Sequence, residues 1–143
     1  MLTMKVETNW ENGTPGIHAR AGMHKIVMDE AKANGGDDLG ANPMQHLLSS
    51  LGGCFIGIGR MIAEEMRLEL GRIRCRVEGD IDRDGLLGKD PNVRPGCQEI
   101  RIAVEVQTDE PAERVQAWLG KVEARCPVKD IILNPTPVII AHK

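Results

Sequence analysis

Residues 42–62, NPMQHLLSSLGGCFIGIGRMI, decide the fold, because their apolar side chains recur every three or four residues. This spacing places the apolar side chains on one face of an α-helix. Asn42 is a good N-cap and Pro43 suits a first turn, so we expect the helix to begin there. Charges begin only at Arg60, which predicts a helix buried on most sides over its first two-thirds.

Gly52 and Gly53 interrupt this helix directly before Cys54. A glycine in a helix interior costs about 1 kcal/mol relative to alanine. Cys54 lies about 16 Å from the expected helix start, at 1.5 Å per residue, whereas the helix dipole acts only over the first turn. The glycines are therefore better explained by space than by charge: space for a partner helix, for a substrate or for the approach of Cys126.

The remaining elements follow from a period of two and from turn residues. Residues 17–30 predict one or two strands interrupted near Ala21 and Gly22, and a second helix is expected from Pro111. Further strands are predicted over residues 2–10, 71–81, 99–108 and 136–142. The order predicts an α+β fold, with an antiparallel sheet packed on a long central helix that carries a cysteine. Without repeats or a long linker, residues 1–143 are expected to form a single domain.

Composition excludes several classes of function. A net charge of −3 and 2% aromatic residues argue against a nucleic-acid or anionic-membrane partner. The first ten residues contain no apolar signal-peptide core, and the uncharged run 39–59 contains proline and several polar side chains. We therefore expect no membrane helix and a cytoplasmic location.

The four cysteines are widely spaced and form no C-x-x-C pair, which argues against a disulfide framework or a closed zinc site. Cys75 lies on the apolar face of a predicted strand, and we expect a buried thiol there. Cys97 stands at a strand entrance, on the opposite parity to the apolar face, and a structural or incidental role is expected.

Cys54 and Cys126 are the candidates for chemistry. Cys54 lies on the helix stripe, so it is either a packed thiol or a reactive one whose activating cation comes from elsewhere in the structure. Cys126 precedes Pro127, so the second helix is expected to end near Arg125, with Cys126 near the N-cap of a new turn. That position, with Arg125 and Lys129 close in sequence, would favour a thiolate. The alternative is a cysteine that only ends a helix.

The motifs NPMQHLLSSLGGCFIGIGRMI, RVEGDIDRDG, RPGCQEIRIAVEV and VEARCPV resemble the OsmC/Ohr family of osmotically inducible and organic hydroperoxide resistance proteins. The match runs in order from about Met28 to the C-terminus. The resemblance implies an intertwined homodimer in which long central helices pack and two active sites form at the subunit interface. It also implies thiol peroxidase activity in oxidative-stress defence, without a cofactor or metal.

The resemblance assigns roles to the two cysteines. Cys54 would be the peroxidatic thiolate that attacks an organic hydroperoxide and becomes a sulfenic acid, and Cys126 would resolve it as a disulfide. A dithiol donor, of the lipoyl type or a small thiol, would reduce that disulfide. The expected apolar substrate cleft is lined by Met44, Leu47, Leu51 and Phe55.

Two positions depart from the better-characterised members and point to the less-characterised branch. Met44 stands where those members carry a glutamate, and the one arginine ahead of the helix is Arg20. Arg20 and His24 are the candidate thiolate-stabilising residues. The missing glutamate favours an alternative function, a non-catalytic protein that binds a small ligand and keeps its cysteines for packing. A metal site made of His18, His24 and Cys54 has no spacing motif behind it.

Overall fold

Helix α1, Pro43–Met66, is the longest element of the computed structural model, which describes residues 1–142. Its start is a reciprocal capping box, as the Gln45 backbone N–H donates to Asn42 Oδ1 and the Asn42 N–H donates to Gln45 Oε1, each over 2.9 Å. Arg67 ends the helix in a left-handed conformation, with φ 52°, and the Leu68 N–H returns to the Ala63 carbonyl. The predicted helix is confirmed.

The chain divides into two compact units, one over residues 1–47 and one that begins at Leu48. The first unit holds an antiparallel sheet of three strands in sequential order, followed by a single 3-10 turn at Lys32–Asn34. The strands are β1 (Glu7–Asn9), β2 (Ile17–Ala21) and β3 (His24–Met28), which confirms the interruption predicted near Gly22. The single domain predicted over residues 1–143 stays a prediction.

The second unit packs one face of a two-stranded antiparallel sheet against helices. Its elements after α1 are β4 (Ile73–Ile81), α2 (Arg83–Leu86), β5 (Cys97–Val106), α3 (Ala112–Arg125) and α4 (Pro127–Leu133). Its core is made of Leu51, Phe55, Ile62, Ala63, Leu68, Trp118, Val122 and Cys126. The mixed α+β class predicted from the order of elements is confirmed.

Two predicted strands are wrong in extent. Only Glu7–Asn9 of the strand expected over residues 2–10 is formed, and residues 136–142 are not assigned to a strand. Val138, Ile139 and Ile140 are instead 81–92% exposed. Apolar residues form a stable strand only where a neighbouring backbone pairs with them, and within residues 1–142 no strand pairs with residues 2–6 or 136–142.

Cys97 lies on the buried side of its strand, contrary to the parity read from the sequence. Glu99 pairs with Asp80, but Cys97 rather than Gln98 pairs with Ile81, so strand β5 carries one extra residue at this point. Such a bulge reverses the alternation before it. The Cys97 side chain is therefore buried beside Gly79.

The expectation that α1 is buried on most sides is wrong for the single chain. Leu51, Phe55 and Ile62 are buried, whereas Gly53 and Gly57 lie on an exposed face that carries no charge before Arg60. The helix is long and apolar enough, by length and composition, to cross a membrane, but its buried side forms the core of the second unit.

Two glycines of the second unit, one exposed and one buried, test how tightly their surroundings are packed. Gly120, in α3, is exposed and an added methyl group there would meet no atom within 4 Å, so Gly120→Ala should raise the free energy of unfolding by about 0.5–1 kcal/mol. A methyl group on buried Gly85 would lie 2.6 Å from the Arg94 carbonyl oxygen, so Gly85→Ala should lower it by about 1–3 kcal/mol. Urea unfolding measures both changes, and changes of the same sign would contradict the packing.

Candidate active site

The side chains of Cys54 and Cys126 meet in the second unit. Cys54 is half-buried on α1, and Cys126 is 2% exposed between α3 and α4. Their sulfur atoms lie 2.9 Å apart, within hydrogen-bond distance, and both cysteines are free. Two residues that are 72 positions apart in the chain are thus placed for chemistry with each other.

The backbone around Cys126 follows from the proline after it. The extended backbone of Cys126, with ψ 107°, ends α3 at Arg125, and Pro127 occupies the first turn of α4. Cys126 is the N-cap of α4, where its sulfur accepts a hydrogen bond of 3.4 Å from the Lys129 backbone N–H. The predicted helix end and N-cap position are confirmed.

The surroundings of Cys54 favour the thiol over the thiolate. Burial raises the pKa of Cys54 above its ordinary value, and its hydrogen bond with Cys126 and the charge of Cys126 raise the pKa further. A hydrogen bond from the Val128 backbone N–H opposes these effects. In the part of the chain that the structure describes, no cationic side chain contributes to lowering this pKa.

The two cations expected to favour a thiolate at Cys126 are held by carboxylates. The guanidinium of Arg125 donates to Glu65 over 2.6 Å, and the ammonium of Lys129 donates to Glu123 over 2.9 Å. Closeness in sequence therefore does not translate into a free charge beside the sulfur. The group of Lys129 that contacts the Cys126 sulfur is its backbone N–H, and not its side-chain ammonium.

Arg20 and His24 lie in the first unit, away in sequence from the helix that carries Cys54. Arg20 is an exposed residue of β2, opposite Glu7 on one neighbouring strand and Lys25 on the other. His24 is exposed at the start of β3 and pairs with Ala21. Their role in stabilising a thiolate stays a prediction.

An apolar cavity of about 270 Å³ lies in the second unit. Leu51 and Phe55, which flank Cys54 on α1, line it as expected, whereas Met44 and Leu47 do not. Sequence reasoning missed the walls contributed by β5 and α4, although the alternation of β5 did identify its apolar face. These further lining residues are Ile100, Ile102, Val104, Leu119, Glu123, Lys129, Ile132 and Leu133.

The two glycines before Cys54 have different surroundings. A methyl group on Gly52 would lie 3.3 Å from Val77 Cγ2 and 3.5 Å from Cys75 Cβ, so Gly52 lets strand β4 approach the helix. Gly53 has no atom within 4 Å of such a group. The sequence offered three explanations for these glycines: space for a partner helix, for a substrate or for Cys126. The third is wrong, because Cys126 would lie within 4 Å of a methyl group at neither position.

Candidate metal ligands are not gathered anywhere in residues 1–142: no group of three or more His, Cys, Asp or Glu side chains is placed to hold an ion. His18 contacts the Pro15 carbonyl through its Nε2 atom, over 3.2 Å. His18 and His24 belong to the first unit, and Cys54 belongs to the second.

Three solved structures resemble this chain in fold. An OsmC-like protein from Mycoplasma pneumoniae has a TM-score of 0.80 at 16% identity, over 92% of this chain and 88% of that one. An organic hydroperoxide resistance protein from Legionella pneumophila has a TM-score of 0.65 at 18% identity, over 92% and 90%. An OsmC-like protein of unknown function from Vibrio cholerae has a TM-score of 0.75 at 11% identity, over 91% and 93%.

Two further comparisons use the sequence alone. A comparison with curated proteins gives no match, whereas a comparison with family profiles gives one. The sequence profile described as "OsmC-like protein" matches residues 35–141, which include both candidate cysteines. With the fold and the match of the profile to most of the chain, this protein belongs to the OsmC/Ohr family.

Proposed function

We propose that this protein is a two-cysteine thiol peroxidase that reduces organic hydroperoxides. The observation that carries the proposal is the distance of 2.9 Å between the Cys54 and Cys126 sulfur atoms. A disulfide bond requires 2.03–2.05 Å, so closing it needs an approach of only about 0.9 Å. Free thiols held this close form a disulfide without a large rearrangement of the backbone.

Exposure supports the assignment of the two roles. Cys54 is only half-buried and Cys126 is almost fully buried, so a hydroperoxide reaches Cys54 first. The Cys54 thiolate attacks the terminal oxygen, the O–O bond breaks, and the alkoxide takes a proton and leaves as an alcohol. The Cys126 sulfur then attacks the resulting sulfenic acid, and water leaves as the disulfide forms. A dithiol donor, of the lipoyl type or a small thiol, restores both thiols by exchange.

The apolar cavity supports an organic substrate over hydrogen peroxide. Its walls include Leu51 and Phe55, which lie three residues before and one residue after Cys54 on the same helix. Burying an alkyl or aryl group there is favourable by about 25 cal/mol per Å² of apolar surface. Hydrogen peroxide gains nothing from such a wall.

A homodimer is part of the same proposal. The uncharged exposed face of α1, which includes Gly53 and Gly57, suits close packing against a second helix. Exposed apolar side chains at both termini, such as Leu2, Met4 and Ile139, are typical of an interaction surface. A second subunit is also the proposed source of a cation for Cys54. The proposed setting is oxidative-stress defence in the cytoplasm, where thiols are kept reduced.

One observation favours a second candidate function, a non-catalytic protein that binds a small apolar ligand: burial raises the pKa of Cys54. The family resemblance adds that Met44 stands where the better-characterised members carry a glutamate. On this alternative, the cavity binds its ligand and the cysteines serve only for packing.

Serine variants separate the two candidates. Cys54→Ser should lower the consumption of cumene hydroperoxide by at least about 100-fold, because the nucleophile is lost. Without a reductant, Cys126→Ser should be oxidised once per subunit and stop at the sulfenic acid, whereas wild-type protein goes on to the disulfide. Peroxide consumption in the presence of dithiothreitol measures the effect of Cys54→Ser. Trapping of the sulfenic acid by a cyclic diketone without dithiothreitol, followed by mass spectrometry, measures the effect of Cys126→Ser.

Cys75→Ser is the matched control for these variants. Cys75 is also a half-buried free cysteine of the second unit, but it is no part of the sulfur pair. Its loss should leave peroxide consumption within about twofold of the wild-type rate, because the thiolate at Cys54 does the chemistry. Equal activity of wild-type protein and Cys54→Ser would support the binding protein instead.

The raised pKa of Cys54 predicts a steep dependence of its oxidation on pH. Because the thiolate reacts and the thiol predominates, the rate constant should rise about tenfold per pH unit between pH 6 and 8. Stopped-flow measurement with limiting cumene hydroperoxide gives this profile. A rate that is flat over this range would contradict a raised pKa in the assembled protein and would indicate a cation supplied by the partner subunit.

A charged side chain on the exposed face of α1 tests the homodimer. Gly53→Arg should convert the dimer to a monomer, because the guanidinium would be buried without a partner at the helix contact. Gly120→Arg, on the exposed face of α3, places the same side chain elsewhere and should remain a dimer. Sedimentation velocity should give twice the chain mass of 15.7 kDa for wild-type protein, and a wild-type monomer would refute the dimer.

A further inference from the structure

Trp118 ties helix α3 to the backbone of α1. Its indole is 1% exposed, and its Nε1–H donates to the Gly59 carbonyl oxygen over 2.8 Å. A methyl group on Gly59 would lie 2.8 Å from the ring atom Cζ2, closer than carbon atoms approach in folded proteins. Only glycine at position 59 therefore lets the ring lie directly on the helix backbone.

The same two helices carry the sulfur pair. The Arg114 guanidinium donates to the Met66 carbonyl, Trp118 bonds to Gly59, and Cys126 contacts Cys54. As residue numbers rise along α3, the partner numbers fall along α1, so the two helices cross in antiparallel directions. Gly59 lies five residues, or about 7.5 Å, beyond Cys54 on α1, and Cys126 directly follows the last residue of α3.

The Trp118 contact is the one of these three in which both residues are buried. Arg114 is exposed at one end, and Cys54 is half-buried at the other. The ring of a fully buried tryptophan cannot turn aside, because protein interiors are close-packed. Added volume at Gly59 must therefore push α3 away from α1, and Cys126 moves with the end of α3.

We propose that Trp118 and Gly59 are positioning residues that hold the Cys126 sulfur within reach of Cys54. This inference rests on the proposed function for its biological purpose, but not for its test. Displacements near 1 Å cost about 100-fold in rate where two groups must meet in a fixed geometry. The close packing at Gly59 thus acts on the step that forms the disulfide, in which the Cys126 sulfur must reach Cys54.

The test is the equilibrium of the Cys54–Cys126 disulfide with dithiothreitol, which requires no hydroperoxide. Oxidised dithiothreitol takes two electrons and two protons from the two thiols, and the protein disulfide forms as its own ring opens. Gly59→Ala should lower the equilibrium constant for the protein disulfide by at least about tenfold, because α3 is displaced. Trp118→Phe, which keeps a ring and loses the Nε1–H, should lower it in the same direction.

Gly85→Ala is the matched control. Its added methyl group meets backbone oxygen at 2.6 Å, a comparable overlap, but in the connection between β4 and β5 rather than between α1 and α3. It should lower the free energy of unfolding and leave the disulfide equilibrium within about twofold of wild type, since α1 and α3 keep their packing. Peptide mapping by mass spectrometry identifies the Cys54–Cys126 disulfide in each variant.

Sulfenic acid trapping in Cys126→Ser gives a second readout. Adding Gly59→Ala to that variant should leave the rate of Cys54 oxidation by hydrogen peroxide within about twofold, because hydrogen peroxide gains nothing from the apolar cavity that α3 helps to line. A folded Gly59→Ala protein with a wild-type disulfide equilibrium would overturn the proposal, and so would a Gly85→Ala protein that loses the disulfide equally. If wild-type protein forms the disulfide with dithiothreitol but ignores hydroperoxides, the proposed function fails and the positioning role stands.

Discussion

The packing of Trp118 on the bare backbone of Gly59 is the constraint on which the second unit depends. The indole is buried, its one donor is satisfied by the Gly59 carbonyl, and the missing side chain at position 59 sets how closely α3 crosses α1. Strand β4 approaches the same helix at Gly52, where a side chain would meet Val77 and Cys75. Small residues on α1 thus let one helix be packed by both a helix and a sheet.

The sulfur pair lies at the end of this arrangement and shows what one chain supplies. Burial and the neighbouring Cys126 raise the pKa of Cys54, and Arg125 and Lys129 are bound to glutamates. A single chain brings the two sulfur atoms together but leaves Cys54 as a thiol. The distance between the sulfur atoms, which allows a disulfide, is therefore independent of the pKa of Cys54, which decides how fast it reacts. An added cation would lower that pKa without changing the distance.

Local signals in the sequence were sufficient where the neighbouring residues decide the structure. Asn42 and Gln45 cap the long helix, and Pro127 makes Cys126 the residue that ends one helix and caps the next. These are interactions over three or four residues, which explains why they were predictable. The termini were not predictable in the same way, because the apolar run in residues 136–142 forms a strand only where another backbone pairs with it.

By itself, the sequence determined the α+β class, the long helix with its cysteine, the end of α3 and the family to which the chain belongs. The tertiary structure alone decided that the Cys54 and Cys126 sulfur atoms lie 2.9 Å apart, that β5 and α4 help to wall the apolar cavity, and that a bulge turns Cys97 inward. The physical reason is the same in each case. Periodicity records which face of an element is apolar, but distances between atoms 72 residues apart depend on how closely two elements pack, and here that closeness is set by a side chain that is absent at Gly59.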